Sequence, residues 1–263
     1  MRNEMKSEHD PAPAKEKLAT IILAAGKGTR MQSDRAKVLH EVCGNPMLSY
    51  SIELAHEMGS RKIVVVVGHQ AEEVRRQYAD RNIEFAYQGE QLGTGHAVMQ
   101  TKDKLEDFEG DVLILCGDVP LLTETTIHGM LQDHFSQGSC ITVLTTIPDD
   151  PSGYGRVVKG DDNRVLKIVE DRDAGDAEKK IGEINTGIYC VKKAFLFDAV
   201  AAIGNDNVQK EYYLTDIVEI AGRRQQAVNA FLAEDPLEVM GINTLDELKK
   251  ASSIMARRRS DTP

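Results

Sequence analysis

The segment Leu23-Ala24-Ala25-Gly26-Lys27-Gly28-Thr29-Arg30-Met31 puts small residues in a turn, places Lys27 and Arg30 beside them, and is followed by Lys37. Small residues let main chain approach a ligand closely. Backbone N–H groups combined with cations suit a polyphosphate, and a leaving pyrophosphate in particular. Two familiar phosphate motifs do not fit. The dinucleotide fingerprint needs a third glycine where Met31 stands, and the P-loop needs Gly-Lys-Ser/Thr after its spacer. Taken alone, the segment is equally a tight turn carrying solvated charge.

A second segment, Cys116-Gly117-Asp118-Val119-Pro120, sets an acid just after a buried apolar run. An oxygen there can hold Mg²⁺ or simply cap the next helix. Cys116 stands two residues before Asp118, so the Asp-x-Asp metal pair of many glycosyltransferases is absent. The third segment runs from Gln88 through Gly93 and Thr94 to Ala97. The amide of Gln88 carries a donor and an acceptor able to read a base edge, and Gly93 lets main chain meet the same base, although an ordinary loop explains the segment as well.

These segments fall at the ends of predicted strands. Leu18–Ala24, Lys62–Val67, Ile83–Tyr87 and Asp111–Cys116 read as strands, and Pro46–Met58, Ala71–Ala79 and Thr94–Leu105 as helices. That alternation predicts an α/β fold, a doubly wound, mostly parallel sheet covered on both faces, with ligands beyond the carboxyl ends of the strands. After Asp150 the rhythm changes. Arg156–Lys159 and Val165–Glu170 predict a small β-hairpin turning at Gly160–Asn163, and Asp171–Lys180 a charged connector. Ile184–Val191 and Ala227–Ala233 predict strands; Ala194–Ile203, Leu214–Gly222 and Thr244–Arg258 predict helices. Residues 1–17 read as a disordered arm, 18–243 as the domain, and 244–263 as a C-terminal helix and tail.

Composition narrows the function classes. The chain has 263 residues and a net charge of −10, with 41% hydrophobic and 28% charged residues. The acidic balance argues against a nucleic-acid partner, and no apolar run reaches the length of a membrane span. Cys43, Cys116, Cys140 and Cys190 form no C-x-x-C pair and read as free thiols of a cytoplasmic protein.

At this point the motifs resemble a known family, the sugar-1-phosphate nucleotidyltransferases. The matching segments include Leu23–Met31, Lys37–His40, Gln91–Ala97, Gly117–Leu122, Asp150–Arg156, Ile168–Glu170, Glu183–Ile188, Glu211-Tyr212-Tyr213-Leu214-Thr215-Asp216 and Gly241–Asn243. The Gln-Leu-Gly-Thr-Gly-His-Ala and Glu-Ile-Asn-Thr-Gly-Ile segments are most similar to the bacterial N-acetylglucosamine-1-phosphate uridylyltransferase branch. The resemblance implies a Rossmann-like nucleotidyltransferase fold whose hairpin region binds sugar. It implies that Leu23, Ala24, Ala25 and Gly26 offer backbone to the nucleotide, and that Arg30 and Lys37 hold phosphates. Gln88, Gly93 and Thr94 would read uracil, Asp118 and Asn243 would ligate Mg²⁺, and Gly155, Glu170 and Asn185 would hold the sugar, with Gly117 also at the substrate. Arg30, Lys37 and Asp118 would carry catalysis.

The implied reaction is attack by the phosphate oxygen of N-acetylglucosamine 1-phosphate on the α-phosphorus of UTP. The nucleophile is already anionic at pH 7, so no general base is needed. Relatives of this branch continue into hexapeptide repeats that bind acetyl-CoA and build a trimer. The sequence stops at Pro263, so the expectation is no acetyltransferase activity and no trimer from that source, leaving a monomer or weak homo-oligomer. The alternatives are another sugar 1-phosphate, dTTP in place of UTP, or a non-catalytic nucleotide-sugar sensor. A nicotinamide dehydrogenase is more remote, since the third glycine is missing.

Overall fold

The computed structural model describes residues 17–31 and 33–260, so all but the last residue of the expected arm lies outside the described residues. The chain opens with β1 (Leu18–Ala24), a continuous apolar run buried almost throughout. Next come β2 (Glu41–Val42), β3 (Asn45–Pro46), α1 (Met47–Glu57), β4 (Lys62–Val67), α2 (Ala71–Gln77) and β5 (Glu84–Tyr87). α3 (Thr94–Met99) and β6 (Asp111–Cys116) complete the first half. β1 pairs in parallel with both β4 and β6, and β4 with β5. The chain therefore moves outward from β1 to β5, then returns to the other side of β1 as β6. This reversal is a topological switch point, and it opens a crevice at the carboxyl ends of β1 and β6.

The stretch between Val119 and Asp150, unassigned from the sequence, holds α4 (Glu124–Gln137) and β7 (Ile141–Thr146). Thr123 caps α4 by accepting from Thr126 N, and Gly138 ends it in the left-handed region at φ +62°. The hairpin is present as β8 (Arg156–Lys159) and β9 (Val165–Val169). β10 (Ile184–Lys192) follows and runs antiparallel between β6 and β7. α5 (Lys193–Val200), α6 (Asp216–Arg223), β11 (Val228–Leu232) and α7 (Leu245–Ser260) finish the chain. The main sheet has the order β11-β7-β10-β6-β1-β4-β5.

Strand alternation sorts the core into two layers. Ala19, Ile21, Val64, Val66, Val112 and Ile114 face α3, α5 and α6, whereas Leu18, Ile22, Ile63, Val65, Leu113 and Leu115 face α1, α2 and α4. The doubly wound reading is borne out. A third cluster packs Ala251 of α7 against Val42, Met47, Leu121 and Ile242.

Two helices differ from expectation. Thr94–Leu105 is not one helix, because the buried Thr101 hydroxyl donates to Val98 O at 2.7 Å where the backbone tightens into a separate 3₁₀ turn, Lys102–Leu105. α6 starts at Asp216 rather than Leu214, with Thr215 as its N-cap, and Leu214 N donates to Thr94 Oγ1.

Candidate active site

Asp118 leaves the end of β6 and Lys37 sits in a 3₁₀ turn, Lys37–Leu39, after the glycine segment. They meet in the crevice. Lys37 Nζ donates to Asp118 Oδ2 at 2.5 Å and to Asn243 Oδ1 at 2.6 Å. The lysine side chain is 10% exposed and that of Asp118 25%. Gly28, at φ +61°, lies over the lysine stem so closely that a Cβ there would come within 2.5 Å of Lys37 Cβ. Asn243 is fixed by the helix that follows: Glu247 Oε2 accepts from Asn243 N at 2.5 Å and from Thr244 N at 2.9 Å, while Glu247 N donates to Thr244 Oγ1. This is a capping box, and it sets the asparagine one residue before Thr244.

The resemblance implies a divalent cation held by Asp118 and Asn243. Two hard oxygens, Asp118 Oδ2 and Asn243 Oδ1, already converge on one cationic centre, which suits such an ion. Among the described residues no group of three or more His, Cys, Asp or Glu could hold a metal. Phosphate oxygens and water would supply the remaining positions of a bound ion. Cys116, next to Asp118, is no nucleophile: burial, and secondarily the Asp118 charge, push its thiol up to about 12.

Leu23, Ala25, Gly26, Gln88, Gly93 and Thr94 line one cavity of about 200 Å³, joined by Gln91 and Glu211. Gln88 is buried, and its Nε2 donates to Gly93 O at 3.0 Å and lies 3.1 Å from His96 Nδ1. Its amide nitrogen thus braces the loop. Ala24 is buried in the strand end, and Gly117 is buried too, donating to Leu23 O at 2.9 Å, so it holds the ends of β1 and β6 together. Arg30 stands exposed on the 3₁₀ turn Thr29–Met31, and its charge is felt by the Tyr154 phenol, as are those of Asp118 and Glu247.

Gly155, Glu170 and Asn185 form a second group. Asn185 N donates to Gly155 O at 2.8 Å, and a Cβ on Gly155 would lie 3.5 Å from Glu170 Oε2. A register shift in β10 between Asn185 and Tyr189, with Gly187 at φ +81°, bends the strand beside Asn185. Burial raises the carboxyl of Glu170 above the ordinary range, a Thr215 hydrogen bond opposes this, and Asp216, Asp173 and Glu211 add to it. Arg156, also buried, ties this loop down through Tyr154 O and Asp171 Oδ1. Sequence reading missed Gln91, Glu211 and Thr215. The Glu211–Asp216 motif was visible, but its spatial neighbours were not.

This switch-point crevice, with a base-sized cavity on one side and a polar carboxylate group on the other, defines a nucleotide-binding α/β transferase. The family described as "Nucleotidyl transferase" matches residues 19–237, and the chain belongs to it. The resemblance read from the motifs is therefore borne out. The chain is 50% identical over 242 residues to "Bifunctional protein GlmU" of Geobacter metallireducens, covering 92% of this chain and 51% of that protein. It is 51% identical over 243 residues to the protein of that name from Geotalea daltonii, covering 92% and 53% respectively. The chain spans about half the length of the curated relatives it matches. Among the described residues no helix is long and apolar enough to cross a membrane.

Proposed function

We propose that the chain transfers a uridylyl group from UTP to N-acetylglucosamine 1-phosphate, giving UDP-N-acetylglucosamine and pyrophosphate. The observation that carries this reading is the convergence of Lys37, Asp118 and Asn243 at the switch-point crevice. The cavity around Gln88, Gly93 and Thr94 takes the base, with the backbone of Leu23–Gly26 along the nucleotide. Gly155, Glu170 and Asn185 take the sugar. Reacting polyanions need alignment and charge neutralisation rather than a base. Lys37 supplies a cation at the phosphates, and Arg30, exposed on its turn, is free to swing toward the departing pyrophosphate. Asp118 and Asn243 would hold Mg²⁺, which neutralises phosphate charge when bound. The free cysteines support a cytoplasmic location.

The test is pyrophosphate release with Mg²⁺, crossing UTP, dTTP, ATP, CTP and GTP with N-acetylglucosamine 1-phosphate, glucosamine 1-phosphate and glucose 1-phosphate. Release confined to UTP with N-acetylglucosamine 1-phosphate supports the proposal. Release from another pair replaces the substrates, and silence throughout with UDP-sugar still bound makes the chain a sensor.

A further inference from the structure

The motif Glu211-Tyr212-Tyr213-Leu214-Thr215-Asp216 has no role in the reading above, yet it touches both halves of the site. Its main chain is stitched to the base cavity. Tyr212 N donates to Leu92 O at 2.7 Å, Gly95 N donates to Tyr212 O at 2.8 Å, and Leu214 N donates to Thr94 Oγ1 at 3.1 Å. The approach depends on two glycines: a Cβ at Gly93 would fall 2.6 Å from Tyr212 O, and one at Gly95 would fall 2.9 Å from it. Glu211 itself lines the cavity.

Two of its side chains are stitched to the sugar group. Thr215 is 3% exposed, and its Oγ1 donates to Glu170 Oε1 at 3.0 Å. Thr215 is also the N-cap residue of α6, where a threonine hydroxyl ordinarily accepts from its own helix, but here it makes no such bond. The hydroxyl is committed to the carboxylate instead. Tyr213 OH donates to Asp173 Oδ2 at 3.1 Å, three residues beyond Glu170, and Asp173 Oδ1 accepts from Val208 N at 3.0 Å. Glu170 is thus held by one oxygen, while Oε2 is the one turned toward Gly155.

We infer that Glu211–Asp216 is a strap joining the base loop to the sugar carboxylate, and that Thr215 is the positioning residue that aims Glu170 at the sugar. The inference rests on the proposed function, because it takes Glu170 as the sugar acceptor. A hydroxyl bonded to a charged acceptor contributes on the order of a tenfold effect or more when it is removed.

The test compares wild type, Thr215→Val and Thr215→Ser by titration calorimetry with UDP and with UDP-N-acetylglucosamine, alongside turnover. The expected result is that Thr215→Val keeps UDP affinity within about 2-fold but loses about 10-fold of the extra affinity contributed by the sugar. KM for the sugar 1-phosphate rises by the same factor while kcat and the UTP KM hold, and Thr215→Ser restores both. An unchanged sugar increment in Thr215→Val, equal losses for UDP and UDP-sugar, no rescue by serine, or no sugar increment in wild type would each overturn the inference. Absence of pyrophosphate release by wild type refutes the proposed function instead, and the calorimetric comparison still decides the strap.

Discussion

Replacing Lys37 by methionine separates what the lysine does for the fold from what it does for the reaction. Methionine keeps an apolar stem beneath Gly28 and removes only the ammonium that bonds Asp118 and Asn243. Breaking a fully buried ion pair costs about 3–5 kcal/mol, because the surviving charge is stranded. Here a quarter of the Asp118 side chain is exposed, at 25%, so water offsets part of that cost. The expected loss is roughly 1–3 kcal/mol, a fall in melting temperature of about 2–10 °C for a domain of this size. Turnover should fall by at least about 10²-fold, the usual consequence of removing one preorganised stabiliser of transferring phosphate. The double variant Lys37→Met/Asp118→Asn no longer strands a charge. It should recover most of the lost stability in urea denaturation while turnover stays low. Near-normal turnover in Lys37→Met would refute the phosphate role, and a double variant no more stable than the single one would refute the ion-pair argument.

The carboxyl of Asp216 is raised from 3.8 to about 6, first by burial and then by Glu219 and Asp173. The folded state therefore binds its proton more tightly than the unfolded state, so stability from this group is present below about pH 4 and lost as pH rises through about 6. Asp216→Asn should be more stable than wild type at pH 8 by on the order of 1 kcal/mol after discounting for solvent, with the gap closing at pH 4. Denaturation midpoints at the two pH values check this, and a pH-independent gap contradicts it. Gly93→Ala combines a left-handed φ of +106° with a Cβ 2.6 Å from Tyr212 O, so the UTP KM should rise by at least about 10-fold. An unchanged UTP KM would mean that the loop does not hold the base. Chelator should abolish pyrophosphate release and Mg²⁺ restore it; turnover that persists in chelator would remove the metal from Asp118 and Asn243.

Much of the scaffold is legible in the order of residues because its signals are local. The unbroken apolar runs of β1, β4 and β6 announce strands buried on both faces, and glycine at their ends announces turns. The capping box that sets Asn243 is likewise written in four consecutive residues, Thr244 to Glu247. Helix α4 and strand β7 escaped this reading, since α4 buries only Ile127, Met130, Leu131 and His134 among polar neighbours. Its apolar stripe is narrow, and packing against the sheet rather than periodicity stabilises it.

The chemistry depended on distance in space. Residue types nominate Lys37 and Asp118, and the family resemblance nominates Asn243, but Lys37 and Asn243 are 206 positions apart, and only the pairing of β1 with β6 and the return of the chain into α7 bring them to one cation-sized point. The same holds for Thr215 and Glu170, 45 positions apart, whose hydroxyl and carboxylate meet because the strap after α5 doubles back over the hairpin. Sequence by itself determined most strands of the main sheet, the glycine turns and the family, since main-chain propensity and apolar burial act over a few residues. Tertiary structure decided which charges are paired and buried, that Arg30 stays exposed while Lys37 is enclosed, and which hydroxyl bonds the Glu170 carboxylate. Hydrogen bonds and Coulomb forces act over a few ångströms, and only the packed sheet fixes which groups lie that close.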